Sequence, residues 1–147
     1  MFDSDLILMD GTIVATTTTD TPAISLTRDA TTGAAVIDLG DGGTPASGLT
    51  AVLMCSELAV GAAAYTLTAY LQASDTVDMT GTTTGIDRLG NFGVAVASTG
   101  VIIGSETPCV ATVRFATSKR YIRINATVSN DFGYLKCYLE PYTFKTL

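Results

Sequence analysis

Apolar and polar residues alternate with a period of two along the second half of the chain. The clearest run is Tyr121 to Val128. Ile122, Ile124, Ala126 and Val128 fall on one face, and Tyr121, Arg123, Asn125 and Thr127 on the other. That period marks a half-buried strand. Leu135, Cys137 and Leu139 repeat the pattern against Tyr134, Lys136 and Tyr138, and Val113 and Phe115 alternate with Thr112 and Arg114. TSKR and SNDFG are turn sequences between these runs. Three such strands in succession predict an antiparallel meander with one dry face.

Earlier segments are weaker but of the same kind. Residues 1–10 hold one apolar run, Leu6 to Met9, expected as either an N-terminal arm or a first edge strand, anchored by Phe2 and Leu6. Thr12 to Thr19 is a fading strand, and Ala23 to Arg28 reads as a short one. Ala34 to Leu39 is a strand with Ala35, Ile37 and Leu39 on one side. Gly40 to Gly48 follows as a glycine-rich loop in which Pro45 excludes a central strand. Leu49 to Leu58 is the most apolar run and is expected at the centre of a sheet. Tyr65 to Leu71 alternates, with Leu67 and Leu71 favouring the inner face. Gln72 to Asn91 reads as a long polar loop holding one short strand, Thr76 to Met79. Phe92 to Ala97 and Val101 to Ile103 read as a hairpin. No window sustains helical spacing. The expectation is all-β: a jelly-roll-like antiparallel β-sandwich, with residues 11–147 as a single domain and an extended N-terminal arm.

Composition sharpens this. Apolar residues make up 47% of the 147, enough for a real core. Charged residues are only 15%, against roughly 25% in ordinary soluble domains, so threonine and other small residues must cover the surface. A weakly charged surface protects poorly against association, which suits a protein that lives in an assembly. The acids gather in the first sixty residues. The last forty hold Arg114, Lys119, Arg120, Arg123, Lys136 and Lys145. Such asymmetry allows copies to meet side to side, or the acidic part to dock on a basic partner. Net charge −6 and interrupted bases argue against nucleic acid. No apolar run is long enough for a membrane-spanning helix. Cys55, Cys109 and Cys137 lack paired spacing, and Cys55 and Cys137 sit in apolar alternation as core residues.

Little of the chain carries chemistry. There is no histidine, hence no ordinary general base near neutral pH. The segment from Asp38 to Gly43 has the outline of a calcium loop without its later ligands. Gly81 to Gly85 lacks the lysine of a phosphate loop. Ser4, Ser56 and Ser118 have no activating base. Asp75, Asp78 and Asp87 lie in a polar stretch rather than on rigid elements. An enzyme is not expected, nor a metal or other cofactor. Tyrosine and arginine are enriched at interface cores. Tyr121, Arg123, Tyr134, Lys136 and Tyr138, extended by Arg114, therefore form a candidate interface on one face of two neighbouring strands. Tyr142 and Phe144 in the tail should pack on a sheet or a partner. The same tyrosines define the alternative, a non-catalytic carbohydrate-binding β-sandwich module.

The segment MFDSDLILMDG, the run AVIDLG before a glycine-rich loop, the strand YTLTAYLQASD and the late run KRYIRINATV occur in this order over nearly the whole chain. In these features the sequence resembles the jelly-roll capsid cement (decoration) proteins of short-tailed bacteriophages. The segment Thr76 to Gly104 is longer than that family leads one to expect. The resemblance implies a homotrimer on the outer capsid surface of the virion, made in the host cytoplasm, that clamps neighbouring major capsid proteins after shell expansion. It also implies that the arm, through Phe2, Leu6 and Leu8, reaches an adjacent subunit.

Overall fold

The computed structural model describes residues 4–14, 23–30, 32–56, 65–79, 85–97, 109–128 and 133–141. A 3-10 turn, Ser4–Leu6, opens into β1 (Ile7–Val14). There follow β2 (Ile37–Asp38), β3 (Leu49–Cys55), β4 (Tyr65–Ser74), β5 (Ile86–Ala97), β6 (Cys109–Phe115), β7 (Tyr121–Val128) and β8 (Tyr134–Pro141). One sheet has the order β1-β8-β3-β6 and the other β2-β7-β4-β5. All pairings are antiparallel.

Among the described strands, only β4 and β5 are both consecutive and paired; every other step between them changes sheet. Eight strands wound in this way form a jelly roll. The fold class expected from alternation is therefore the one observed, but the meander is not. β6 and β8 both flank β3, while β7 lies across the sandwich. Period two says which side of a strand is dry, not which strand lies beside it.

The dry faces are as the pattern implied. Ile122, Ile124 and Val128 from β7, Leu135, Cys137 and Leu139 from β8, and Leu67, Ala69 and Leu71 from β4 meet in one core. β3 is central in its sheet, between β8 and β6. Cys55 and Cys137 are core residues at 2% and 0% exposure. Burial pushes the Cys137 thiol pKa far up, so it stays protonated and inert.

One side of the sandwich is closed by the chain itself. Asp10 N donates to Gly33 O and Ala35 N to Leu8 O, each at 3.0 Å. Two residues later Ile37 and Asp38 pair with Ile122 and Tyr121 of the opposite sheet. Residues 33–38 thus cross from the edge of β1 to the edge of β7. Ala35 and Ile37 are buried, as expected. Ala34 and Val36 are buried too, in a second small core with Ala23 and Met79 against Val77, Ile86 and Tyr121. Residues 23–28 form no strand, only a bend at 25–27, and 75–77 is a bend as well. These stretches cover the sheet instead of joining it.

The stretch read as a loop from Gln72 to Asn91 is strand at both of its ends. β4 runs to Ser74 and β5 starts at Ile86. The alternation was hidden because the register between β4 and β5 slips twice, between Thr68 and Tyr70 and between Leu71 and Gln72. The proposed turn partner at Val101 to Ile103 lies outside the described residues.

Gly90 explains part of this irregularity. A Cβ there would stand 2.4 Å from Val113 Cγ1 of β6, so β5 approaches the other sheet more closely than any side chain allows. Gly90→Ala should destabilise the fold by about 1–3 kcal/mol through overpacking. In a Val113→Ala background the same change should cost clearly less. A double-mutant cycle of urea unfolding midpoints reads the coupling, and additive midpoints would contradict the contact.

Candidate protein-docking surface

The outer face of the β1-β8-β3-β6 sheet is built from three registered rows. Arg114, Thr50 and Glu140 form one; Thr112, Val52, Tyr138 and Ile7 the next; Val110, Met54, Lys136 and Asp10 the third. Alternation puts these side chains outward because their neighbours Ala51, Leu53, Val113, Cys137 and Leu139 point into the core. Val52 and Tyr138, directly paired, are nearly dry at 7% and 8% exposure. Val110 and Tyr134 are 61% and 50% exposed. Arg114, Lys136 and Glu140 stand around this apolar centre. Burial first, then the charge of Glu140, raises the Tyr138 phenol pKa, so it remains a hydrogen-bond donor. The surface this face leaves open is therefore Val110 and Tyr134, exposed apolar side chains on a face that also carries Arg114, Lys136 and Glu140, a mixture found at protein interfaces.

Arg114, Tyr134, Lys136 and Tyr138 thus share a face as anticipated, but Tyr121 and Arg123 do not share it. β7 belongs to the other sheet, so these two lie on the opposite side of the sandwich. Tyr121 packs into the second small core. Arg123 is 3% exposed; its Nε donates to Gln72 Oε1 at 2.9 Å and its Nη1 to Ala23 O at 3.2 Å. It holds the covering segment down and presents no open surface to a partner. Leu8 is also reassigned. It is 0% exposed in the main core, and Leu6 packs against that core half-buried. Phe2, Tyr142 and Phe144 lie outside the described residues.

The acidic and basic parts of the chain meet within one molecule. Arg120 pairs with Asp38 at 2.8 Å and with Asp41 at 3.2 Å, and Lys119 pairs with Asp75. The Arg120 side chain, then the Gly40 amide, holds the Asp38 carboxyl below its usual range. A depressed carboxyl adds stability above its unfolded pKa and loses it as pH falls through the lowered value. The loop thought to have the outline of a calcium site is therefore a salt-bridged turn. It is pinned by Thr44, whose N and Oγ1 both donate to Thr117 O, while Thr117 N donates to Thr44 Oγ1. Gly43, at φ +73°, allows this: a Cβ would lie 2.1 Å from Thr117 O. Among the described residues no three His, Cys, Asp or Glu side chains are grouped to hold a metal.

Sequence reasoning missed Gln72 and Arg88. They lie beside Arg123 in register on the outer face of the second sheet. Gln72 was legible as the continuation of the Thr68, Tyr70 alternation. Arg88 was not, because the slipped register breaks its period. No protein-family model matches the chain, and no curated protein matches it.

Proposed function

We propose that this protein is a structural capsid cement, or decoration, protein. It docks on the outside of an icosahedral phage head, clamps neighbouring major capsid proteins and assembles as a homotrimer. After synthesis in the host cytoplasm it joins the outer surface of the virion. The observation that supports this is the outer face of the β1-β8-β3-β6 sheet, which exposes the apolar side chains Val110 and Tyr134 on the same face as Arg114, Lys136 and Glu140. The jelly-roll strand order and the sequence resemblance support it. Docking of this kind works by burial, at roughly 25 cal/mol per Å² of apolar surface before ordering costs. Repetition over a shell adds avidity. The alternative glycan module loses its platform, because Tyr121 and the pair Tyr134 and Tyr138 are on opposite sheets.

Co-sedimentation with expanded shells tests the proposal. Wild-type protein should pellet with shells saturably, and a Val110→Lys, Tyr134→Lys double variant should need at least about ten times the concentration. Both sites are exposed, so the far-ultraviolet circular dichroism should not change. Wild-type protein that stays in the supernatant at every concentration overturns the assignment.

A further inference from the structure

The ladder between β3 and β6 runs without a bulge from the pair Leu49 and Phe115 to the pair Cys55 and Cys109. Its last rung therefore sets two cysteines directly opposite one another, although nothing in their sequence spacing pairs them. Opposite residues of an antiparallel pair have Cα atoms about 4.5 or 5.5 Å apart, depending on the kind of rung, and share one face of the sheet. A disulfide spans Cα separations of about 4.4–6.8 Å, so either kind of rung fits. The third cysteine stands in a different relation. Cys137 is opposite Leu53 across the other edge of β3, where Cys55 faces Leu135. Cys55 and Cys137 are thus on a diagonal, where about 7–8 Å separates Cα atoms, too far to bridge without moving backbone. The cysteine rung also ends its ladder: β3 stops at Cys55 and β6 starts at Cys109. Cys55 is 2% exposed, so a reagent reaches it when this end opens, and strand ends open at less cost than strand middles.

We propose that Cys55 and Cys109 are the site of an intramolecular cross-strand disulfide, made by exchange with a low-molecular-weight disulfide such as glutathione disulfide. One cysteine gives its proton to water, and its thiolate attacks a glutathione sulfur. The glutathione S–S bond breaks, a mixed disulfide forms and one glutathione thiolate leaves. The thiolate of the second cysteine then attacks the protein sulfur of the mixed disulfide. The bond between the cysteines forms and the second glutathione thiolate leaves. Two electrons pass from the cysteines to the oxidant, and the two protons end on the two glutathiones. The new bond ties β6, at the edge of its sheet, to the central β3. It also closes residues 56–108 into a loop that holds β4 and β5 of the opposite sheet. A long closed loop is the kind that cross-linking stabilises most, because the unfolded chain loses most freedom. Where thiols are kept reduced the pair stays open, and in an oxidising medium it closes. None of this depends on how the outer face of the sheet is used.

The full chain is incubated with glutathione disulfide at about pH 8, near the usual thiol pKa, then quenched with N-ethylmaleimide in urea. Trypsin cuts after Arg88, Arg114 and Lys136, so the three cysteines fall in separate peptides. Mass spectrometry without reductant should find the Cys55 peptide joined to the Cys109 peptide, parted by dithiothreitol, and maleimide on Cys137 alone. The oxidised chain should unfold at a urea midpoint about 1 M above that of the reduced chain. Cys137→Ala should keep both the cross-link and the shift, and Cys109→Ala should lose both. The peptide map of the wild-type chain reads the site even where a variant fails to fold. Maleimide on all three cysteines, a bond from Cys55 to Cys137, a cross-link between two copies, glutathione retained on the chain, or an unchanged midpoint would each overturn the assignment.

Discussion

Leu8→Ala should lower the folding stability by about 2–5 kcal/mol, the range for a buried leucine truncated to alanine. Leu8 is 0% exposed and faces the main core from β1. Its carbonyl accepts from Ala35 N where the chain crosses between sheets. A cavity here loosens the strand at the very point where it is held by two neighbours, β8 on one edge and residues 33–35 on the other. The measurement is the urea midpoint by circular dichroism, with Ile24→Ala as the control. Ile24 is 51% exposed, and its truncation should stay within about 0.5 kcal/mol. An arm lying on another subunit gives the reverse pattern: an unchanged midpoint and weaker shell binding. Equal midpoints for Leu8→Ala and wild type would therefore return Leu8 to an arm. For the same reason, deleting residues 1–9 would remove core as well as terminus.

Arg123→Ala should cost about 2–4 kcal/mol, because it strands two acceptors and empties the space under the covering segment. Gln72 Oε1 and Ala23 O lose the donors they now have. Burial depresses the affinity of this guanidinium for its proton, and only Asp78 acts against that. The charge is thus kept at some expense to itself, and its hydrogen bonds are what hold it in place. Arg123→Met should recover part of the loss through stem packing while leaving both acceptors bare. Limited proteolysis adds a second readout: cleavage within residues 23–30 should quicken in both variants. If Arg123→Ala unfolds at the wild-type midpoint, the arginine does not tie this segment down.

The two variants mark what alternation in a sequence can tell. Period two placed Ile122, Ile124, Leu135, Cys137 and Leu139 in the core without error, since alternate side chains of a strand share one face. It placed Arg123 outside, and in the sense of the sheet that is right. A second layer, with Ala23, Ala34 and Val36, lies over that outer face, and no local pattern announces a cover supplied from far along the chain. Tyr121 and Tyr138 were grouped for the same reason: their runs are adjacent in sequence, yet a jelly roll sends successive strands to opposite sheets. Of the candidate interface, Arg114, Tyr134, Lys136 and Tyr138 survived together because β6 and β8 share a sheet. Arg88 was hidden by two slips of register, where the polar period breaks and the chain reads as loop.

The pairing of β1 with β8 sets the order in which the molecule can come into being. β1 is completed by β8, more than a hundred residues later, and β3, too, waits for β6 and β8. While the chain emerges from the ribosome, Ile7–Val14 has the crossing segment at 33–35 on one edge but still lacks β8 on the other, and the apolar β3 lacks both of its neighbours. Among the described strands the β4–β5 hairpin is the local pair that can close early. Such non-local topologies fold slowly, in about milliseconds to seconds, and leave strand edges open meanwhile. A sequence with so few charges has little to keep nascent copies apart in that interval, so its yield in the cell should depend on chaperones and on the rate of synthesis.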